Sequence, residues 1–251
     1  MLSDNERERF KTLKNLQTMP LIHGTHISDI IRKVLNKKLS SDIDSLKEIF
    51  EKEMKETIDK GKNRVTELYN GINLQKKYFE RHIKDGKREL ENFMDEIFPW
   101  IANMEIEKID KMDKYVMEER SFYSAPDFLG IDNENVWHLI DWKTGSGKGM
   151  NVFLDMQLTT YAYYAIQSVG AGKRPHKMKA HVIFLQDMSK NFEKDITDEM
   201  LNETRSKMIE MHDFILEKSM SGPFPAMPKA NKCKFCKFAT ICDEGSLYCS
   251  I

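Results

Sequence analysis

Three residues of the 251-residue chain have the types and spacing to act on one point: Asp127, Asp141 and Lys143. Asp141 and Lys143 sit two apart in VWHLIDWKTGSG, residues 136–147, whose apolar members read as a buried strand. Side chains alternate across a strand, so Trp137, Leu139, Asp141 and Lys143 share one face and His138, Ile140 and Trp142 the other. A buried strand excludes charge unless the charge is paired or binds a metal. Asp127 lies fourteen positions before Asp141, in APDFLGID. A turn around Asp132–Asn135 folds that run back as a hairpin and brings Asp127 beside Asp141. Two carboxylates that close repel, and one pKa rises unless a cation sits between them; hard, oxygen-preferring Mg²⁺ or Mn²⁺ meets that need. Such an ion lowers the pKa of a bound water and stabilises charge on a phosphate in flight, while a lysine in reach positions or helps deprotonate the water. The implied chemistry is phosphodiester hydrolysis. The plainer alternative is a salt bridge between Asp141 and Lys143 at a strand end, since a D-x-K spacing by itself recurs by chance.

Positioning these groups requires strands with helical support. Residues 1–40 read as helical, with Ile27, Ile30, Ile31, Val34 and Leu35 at amphipathic spacing and Thr25 as N-cap. Residues 41–113 are charged and helix-periodic without a sustained heptad, which predicts a small helical layer. From about residue 115 the texture becomes that of short strands: YVMEERSFYS, PDFLGID and VWHLIDWKT. FLDMQLTTYAYYAIQSV then reads as a helix, KAHVIFLQDM as a fourth strand and TDEMLNETRSKMIEMHDFILEKSM as a further helix. The fold class is α/β (α+β), a mixed central sheet flanked by helices. Three segments are expected: a helical region at 1–114, the core at 115–222 and a cysteine-bearing tail at 223–251.

Charge and composition narrow the class. The formal net charge is −1, which argues against a wholly basic nucleic-acid glove but leaves room for acidic metal ligands beside a basic groove. No apolar run has the length of a membrane span, and the polar start lacks a secretory h-region, so a cytoplasmic protein is expected. GSGKG at 145–149 does not match a P-loop and reads as the turn leaving the strand; no helicase motif is present. Cys233, Cys236, Cys242 and Cys249 all fall near the end of the chain. In a reducing compartment this clustering points to a metal site before disulfides, with the C-x₂-C pair suited to one ion.

APD followed by LIDWKTG resembles the signature of the PD-(D/E)XK nucleases, in the form of the RecB-type exonucleases. QLTTY matches the Q-x-x-x-Y helix motif of that family through Gln157 and Tyr161, which fall on one helical face. The resemblance covers roughly 116–187 and 228–243, plus the short GTH segment. It implies a restriction-endonuclease-like core in which Asp127, Asp141 and the backbone carbonyl of Trp142 hold Mg²⁺ or Mn²⁺. Lys143 would orient the water, and Gln157 and Tyr161 would help hold the DNA strand. Family members carry a further metal-binding histidine on an N-terminal helix, for which IHGTHISDII offers His26 and, less well spaced from Gly24, His23. KCKFCKFATIC is similar to the tail of the iron–sulfur members, in which an N-terminal cysteine completes a 4Fe–4S cluster. This chain has no such cysteine, so Cys249 is the remaining thiol, and a cluster, Zn²⁺ and free thiols all stay open. The implied activity is a metal-dependent deoxyribonuclease, an exonuclease acting on single-stranded DNA or duplex ends in DNA processing, recombination or repair, with a helicase or recombination partner. The alternative is a catalytically silent nuclease-like DNA-binding or scaffold module stapled by its cysteine site.

Overall fold

The computed structural model of the chain describes residues 3–145, 151–168, 175–222 and 224–248. In chain order its elements begin with α1 (Asp4–Asn15), α2 (Met19–Leu35), α3 (Ile43–Asp59), α4 (Thr66–Tyr69), α5 (Lys76–Asn92) and α6 (Phe98–Ile101). A π-helical turn at Phe93–Ile97 joins the last two. Then come β1 (Glu105–Ile109), β2 (Asp113–Met117), β3 (Arg120–Ser124), β4 (Phe128–Ile131), β5 (Val136–Lys143) and α7 (Asn151–Ser168). The rest are β6 (Lys177–Phe184), β7 (Phe192–Asp195), α8 (Asp198–Ser221) and α9 (Ala230–Cys233). These elements form two units: a sheet unit of Ser28–Ile43 and Arg88–Phe224, and a helical unit of Met1–Ile27, Asp44–Lys87 and Pro225–Ile251.

The sheet unit is built on five strands in the order β1-β4-β5-β6-β7. β5 pairs antiparallel with β4 and parallel with β6, so the sheet is mixed, as its sequence predicts. β5 is central and buried nearly throughout, a strand covered on both faces that nonetheless carries His138, Asp141 and Lys143. One face carries Leu129, Trp137, Leu139, Ala180 and Val182 against Leu158, Ala162 and Ala165 of α7. On the other face Phe93 meets Trp142 edge-on with ring centroids 5.7 Å apart. There too His138 and His181 stack, their facing nitrogens 3.0 Å apart, beneath Trp100. α8 packs on α7 through a hydrogen bond from Thr204 Oγ1 to Thr159 Oγ1 at 2.6 Å.

Some expectations are corrected. YVMEERSFYS is two strands, β2 and β3, forming a separate ribbon that turns at Glu118 and Glu119. Both turn residues have positive φ, 47° and 63°, which matches the right-handed twist of a tight hairpin. The edge strands β1 and β7 escape the sequence reading because EIEKI and FEKD carry the charges that blunt sheet edges.

In the helical unit, α2 starts at Met19, not near Thr25. Thr25 sits within the helix and its hydroxyl donates to the Leu21 carbonyl at 2.8 Å. The cap comes from a distance: the buried Glu67 carboxylate accepts the Met19 N–H at 3.0 Å, placing negative charge at the positive end of the helix dipole. α3 and α5 approach closely because Gly86 has no side chain. A Cβ there would overlap the ring of fully buried Phe50. Gly86→Ala should therefore destabilise the protein by about 1–3 kcal/mol by overpacking, against the roughly 1 kcal/mol that helix propensity favours alanine. Urea melts read the shift in midpoint, and a variant more stable than the parent would contradict the close approach.

Candidate active site

Sheet register assembles the site. Phe128 at the start of β4 pairs with Ile140, so Asp127, one residue earlier, comes level with the end of β5. Asp127 Oδ2 accepts the Trp142 N–H at 2.9 Å. Asp141 lies on the face turned to α7 and is only 2% exposed. Lys143 Nζ stands 2.7 Å from Asp141 Oδ2 and donates to Gln157 Oε1 at 3.2 Å. Gln157 Nε2 in turn donates to the Tyr161 hydroxyl at 2.7 Å. The structure thus joins Asp141, Lys143, Gln157 and Tyr161 in one contact chain, with Asp127 across the strand end.

Burial pushes the Asp127 carboxyl well above the usual carboxylate range, and the Asp141 charge pushes it further, against the pull of Lys143. Burial likewise raises Asp141, opposed by Lys143. The Tyr161 phenol is raised by burial and then by Asp141, which keeps it a neutral donor. With both aspartates ionised, one lysine leaves an excess negative charge in a place water hardly reaches. Asp141 Oδ2, buried, makes no directed hydrogen bond beyond its ion contact. All-oxygen donors of this kind fit a hard divalent cation. Among the described residues no three His, Cys, Asp or Glu side chains group as ligands of one ion. Mg²⁺ commonly takes only one or two carboxylates and fills its octahedron with water and phosphate oxygens.

Two carboxylates near this point were not singled out from the sequence. Asp110, just beyond β1, donates its backbone N–H to the Asp127 carbonyl at 3.0 Å. Its carboxyl is raised by burial, lies 3.6 Å from Arg32 Nε, and adds to the negative field on Asp127. Buried Glu89 of α5 accepts the Gly145 N–H at 3.0 Å and so ties down the exit of β5. Gly145 has φ 88°, a conformation that suits glycine. Residues 146–150, with most of the GSGKG turn, lie outside the described residues.

In the helical unit, His26 falls in the second turn of α2. Its Nδ1 is 3.1 Å from Glu53 Oε2 and its Nε2 3.2 Å from Thr57 Oγ1. His23 is buried, edge-on to Phe50 and with Nδ1 3.3 Å from His82 Nδ1. Of the tail thiols, Cys233 is buried, Cys236 exposed and Cys242 half-buried. Cys233 and Cys242 accept backbone N–H groups of Lys229 and Gly245 at 3.3 Å. No metal-ligand group of three or more forms among the described residues, and Cys249 lies outside them. Asn70 fastens the tail: its buried amide donates to the carbonyls of Lys234 and Cys236, each at 3.0 Å.

A sequence model of the PD-(D/E)XK nuclease superfamily matches residues 10–243, and the chain belongs to that superfamily. The match runs through 41–113, where none of the recognisable motifs lies. The chain is similar to a solved structure from Eubacterium rectale named as a candidate exonuclease, at 13% identity over 100% of this chain and 94% of that one, with TM-score 0.45. It is also similar to SSO0001, at 13% identity over 97% and 98%, with TM-score 0.34. No curated protein matches it.

A raised folded-state carboxyl pKa means that the folded chain holds more protons than the unfolded one between the ordinary and the raised value. Stability of the metal-free protein should therefore fall as pH climbs through that window. Asp127→Asn keeps an acceptor for the Trp142 N–H and removes one charge of the pair. In EDTA at alkaline pH its Tm should rise by about 2–4 °C, the effect of roughly 1 kcal/mol in a chain of this size. The further rise that Mg²⁺ should give the parent should shrink in the variant. A variant that melts lower than the parent in EDTA would mean that the two carboxylates do not strain each other.

Proposed function

We propose that this superfamily member is a Mg²⁺- or Mn²⁺-dependent deoxyribonuclease that works as an exonuclease in DNA processing, recombination or repair. The observation that carries the reading is the pair of half-buried Asp127 and buried Asp141, with Lys143 set between Asp141 and Gln157. Asp127 and Asp141, with the Trp142 carbonyl, would hold the ion. When bound, it supplies the neutralising charge and a water of lowered pKa beside the scissile phosphate. Lys143, its ammonium fixed by Asp141 and Gln157, points a donor where the attacking water must sit and steadies charge on the phosphate. Gln157 and Tyr161 hold that lysine in place and present a neutral hydroxyl toward the strand. We assign this work to the core at 115–222. The intact set of Asp127, Asp141 and Lys143 runs against a catalytically silent scaffold, which has no need of two carboxylates facing each other at a covered strand end. Among the described residues no helix is long and apolar enough to cross a membrane.

Asp141→Ala and Lys143→Ala should each lower cleavage of end-labelled DNA by at least about 10³-fold, with DNA binding changed far less, because binding draws mainly on phosphate contacts. Full cleavage by either variant at equal protein and metal would refute the mechanism. His26 enters the ligand set on family resemblance. If it serves there, His26→Ala should raise the Mn²⁺ concentration needed for half-maximal activity and recover in excess metal. An unchanged metal requirement would remove it from the set.

A further inference from the structure

The helical unit carries a second feature that the catalytic chemistry leaves unused. Between α3 and α5 runs an open groove of about 640 Å³. Ile58, Phe79 and Ile83 give it apolar lining, and Lys55, Lys76, Lys84 and Lys87 bring four cations to it against the carboxylates of Glu51 and Glu80. Over residues 76–87, α5 concentrates Lys76, Lys77, Arg81, Lys84 and Lys87 against only Glu80 and Asp85, in a chain whose net charge is −1. Lys55 and Lys87 are held by Glu51, whose carboxyl these two lysines depress to about 2. Lys77 and Lys84 are exposed and make no ion pair among the described residues. They lie seven residues apart, two turns along one helix face.

We infer that this groove is a binding track for single-stranded DNA, separate from the cleavage chemistry: Phe79 offers a face for a base, and the lysines take phosphates. The inference rests on the reading of DNA as substrate. Two observations favour a nucleic-acid strand over an acidic peptide helix. Phe79, which lines the groove, is interleaved with the cations of α5, the combination of aromatic platform and positive rail by which single strands are held. Lys77 and Lys84, exposed and without an ion pair among the described residues, also follow one another along one face of α5, as a phosphate backbone requires, and Lys84 lines the groove itself.

The test uses the full chain in EDTA, so that binding is read without cleavage, with a fluorescein-labelled oligothymidylate followed by anisotropy across a salt series. Lys77→Ala combined with Lys84→Ala breaks no ion pair among the described residues and should leave the circular dichroism unchanged. Its Kd should rise about three- to tenfold, and the slope of log K against log salt should fall by about 1.4, the loss of two single-strand phosphate contacts. Phe79→Leu keeps apolar volume and removes the flat face. It should weaken binding by about fivefold or more with no change in salt slope, since stacking carries no counterion release. Hydrolysis of bis(p-nitrophenyl) phosphate in Mn²⁺, too small to reach a separate track, should be the same in all these proteins. Unchanged oligothymidylate affinity and slope in the lysine variant overturn the inference. So does a Glu-rich amphipathic peptide that binds the parent and is lost in the variant while DNA binding stays intact. Failure of the parent to hydrolyse either substrate in Mn²⁺ would instead strike the proposed function, whatever the result in EDTA.

Discussion

The constraint on which the sheet unit turns is the confinement of two carboxylates and one ammonium at the closed end of a buried strand. In water such a trio would be unremarkable. Packed against α7, Asp141 is almost wholly covered, so its charge is worth several times more and cannot be relaxed by rotating into solvent, while Asp127 and Lys143 are half-buried beside it. The surrounding structure holds it there. The Trp142 N–H grips Asp127, Gln157 grips Lys143, Tyr161 grips Gln157, and Glu89 fixes the glycine where the strand turns away. Pre-set polar groups of this kind cost little reorganisation when charge develops on a bound phosphate.

The opposite face of the same strand shows how that rigidity is supplied. Trp142 and His138 look away from the carboxylates, toward Phe93 and Trp100, where large rings fill the layer between sheet and helices. Asn92 adds a hydrogen bond to the Leu185 carbonyl at 2.6 Å, just past the end of β6. A strand gripped on both sides shifts by a residue only at the cost of turning every side chain over. The alternation that places Asp141 and Lys143 together is thereby protected from slippage.

How much of this could be read from the sequence depended on whether a local rule carried the information. The strand period of two and the Asp132–Asn135 turn sufficed to bring Asp127, Asp141 and Lys143 to one end of the hairpin. Gln157 and Tyr161 are four apart on α7, yet spacing alone would have left them as ordinary helix residues; their motif singled them out. Asp110 and Glu89 obey no spacing rule, since one acts through its backbone and its field and the other reaches Gly145 from 56 positions away. The Thr25 cap failed for a similar reason. A carboxylate 48 positions distant serves the start of α2, and no local pattern announces a cap of that kind. The edge strands β1 and β7 were hidden because charges that keep an edge from pairing wrongly also erase its alternation.

The Asn70 contact has an implication for how the molecule comes into being. The amide it offers is satisfied by carbonyls 164 and 166 positions further along the chain, with nearly the whole sheet unit intervening in sequence. During synthesis the helices of residues 4–69 emerge long before these partners, and the buried amide of Asn70 must stay solvated or mispaired until they arrive. Closing so long a loop is entropically slow. Helices made ahead of the sheet unit are thus finished after it, and the sheet unit, whose strands lie close together in sequence, has time to set its register first.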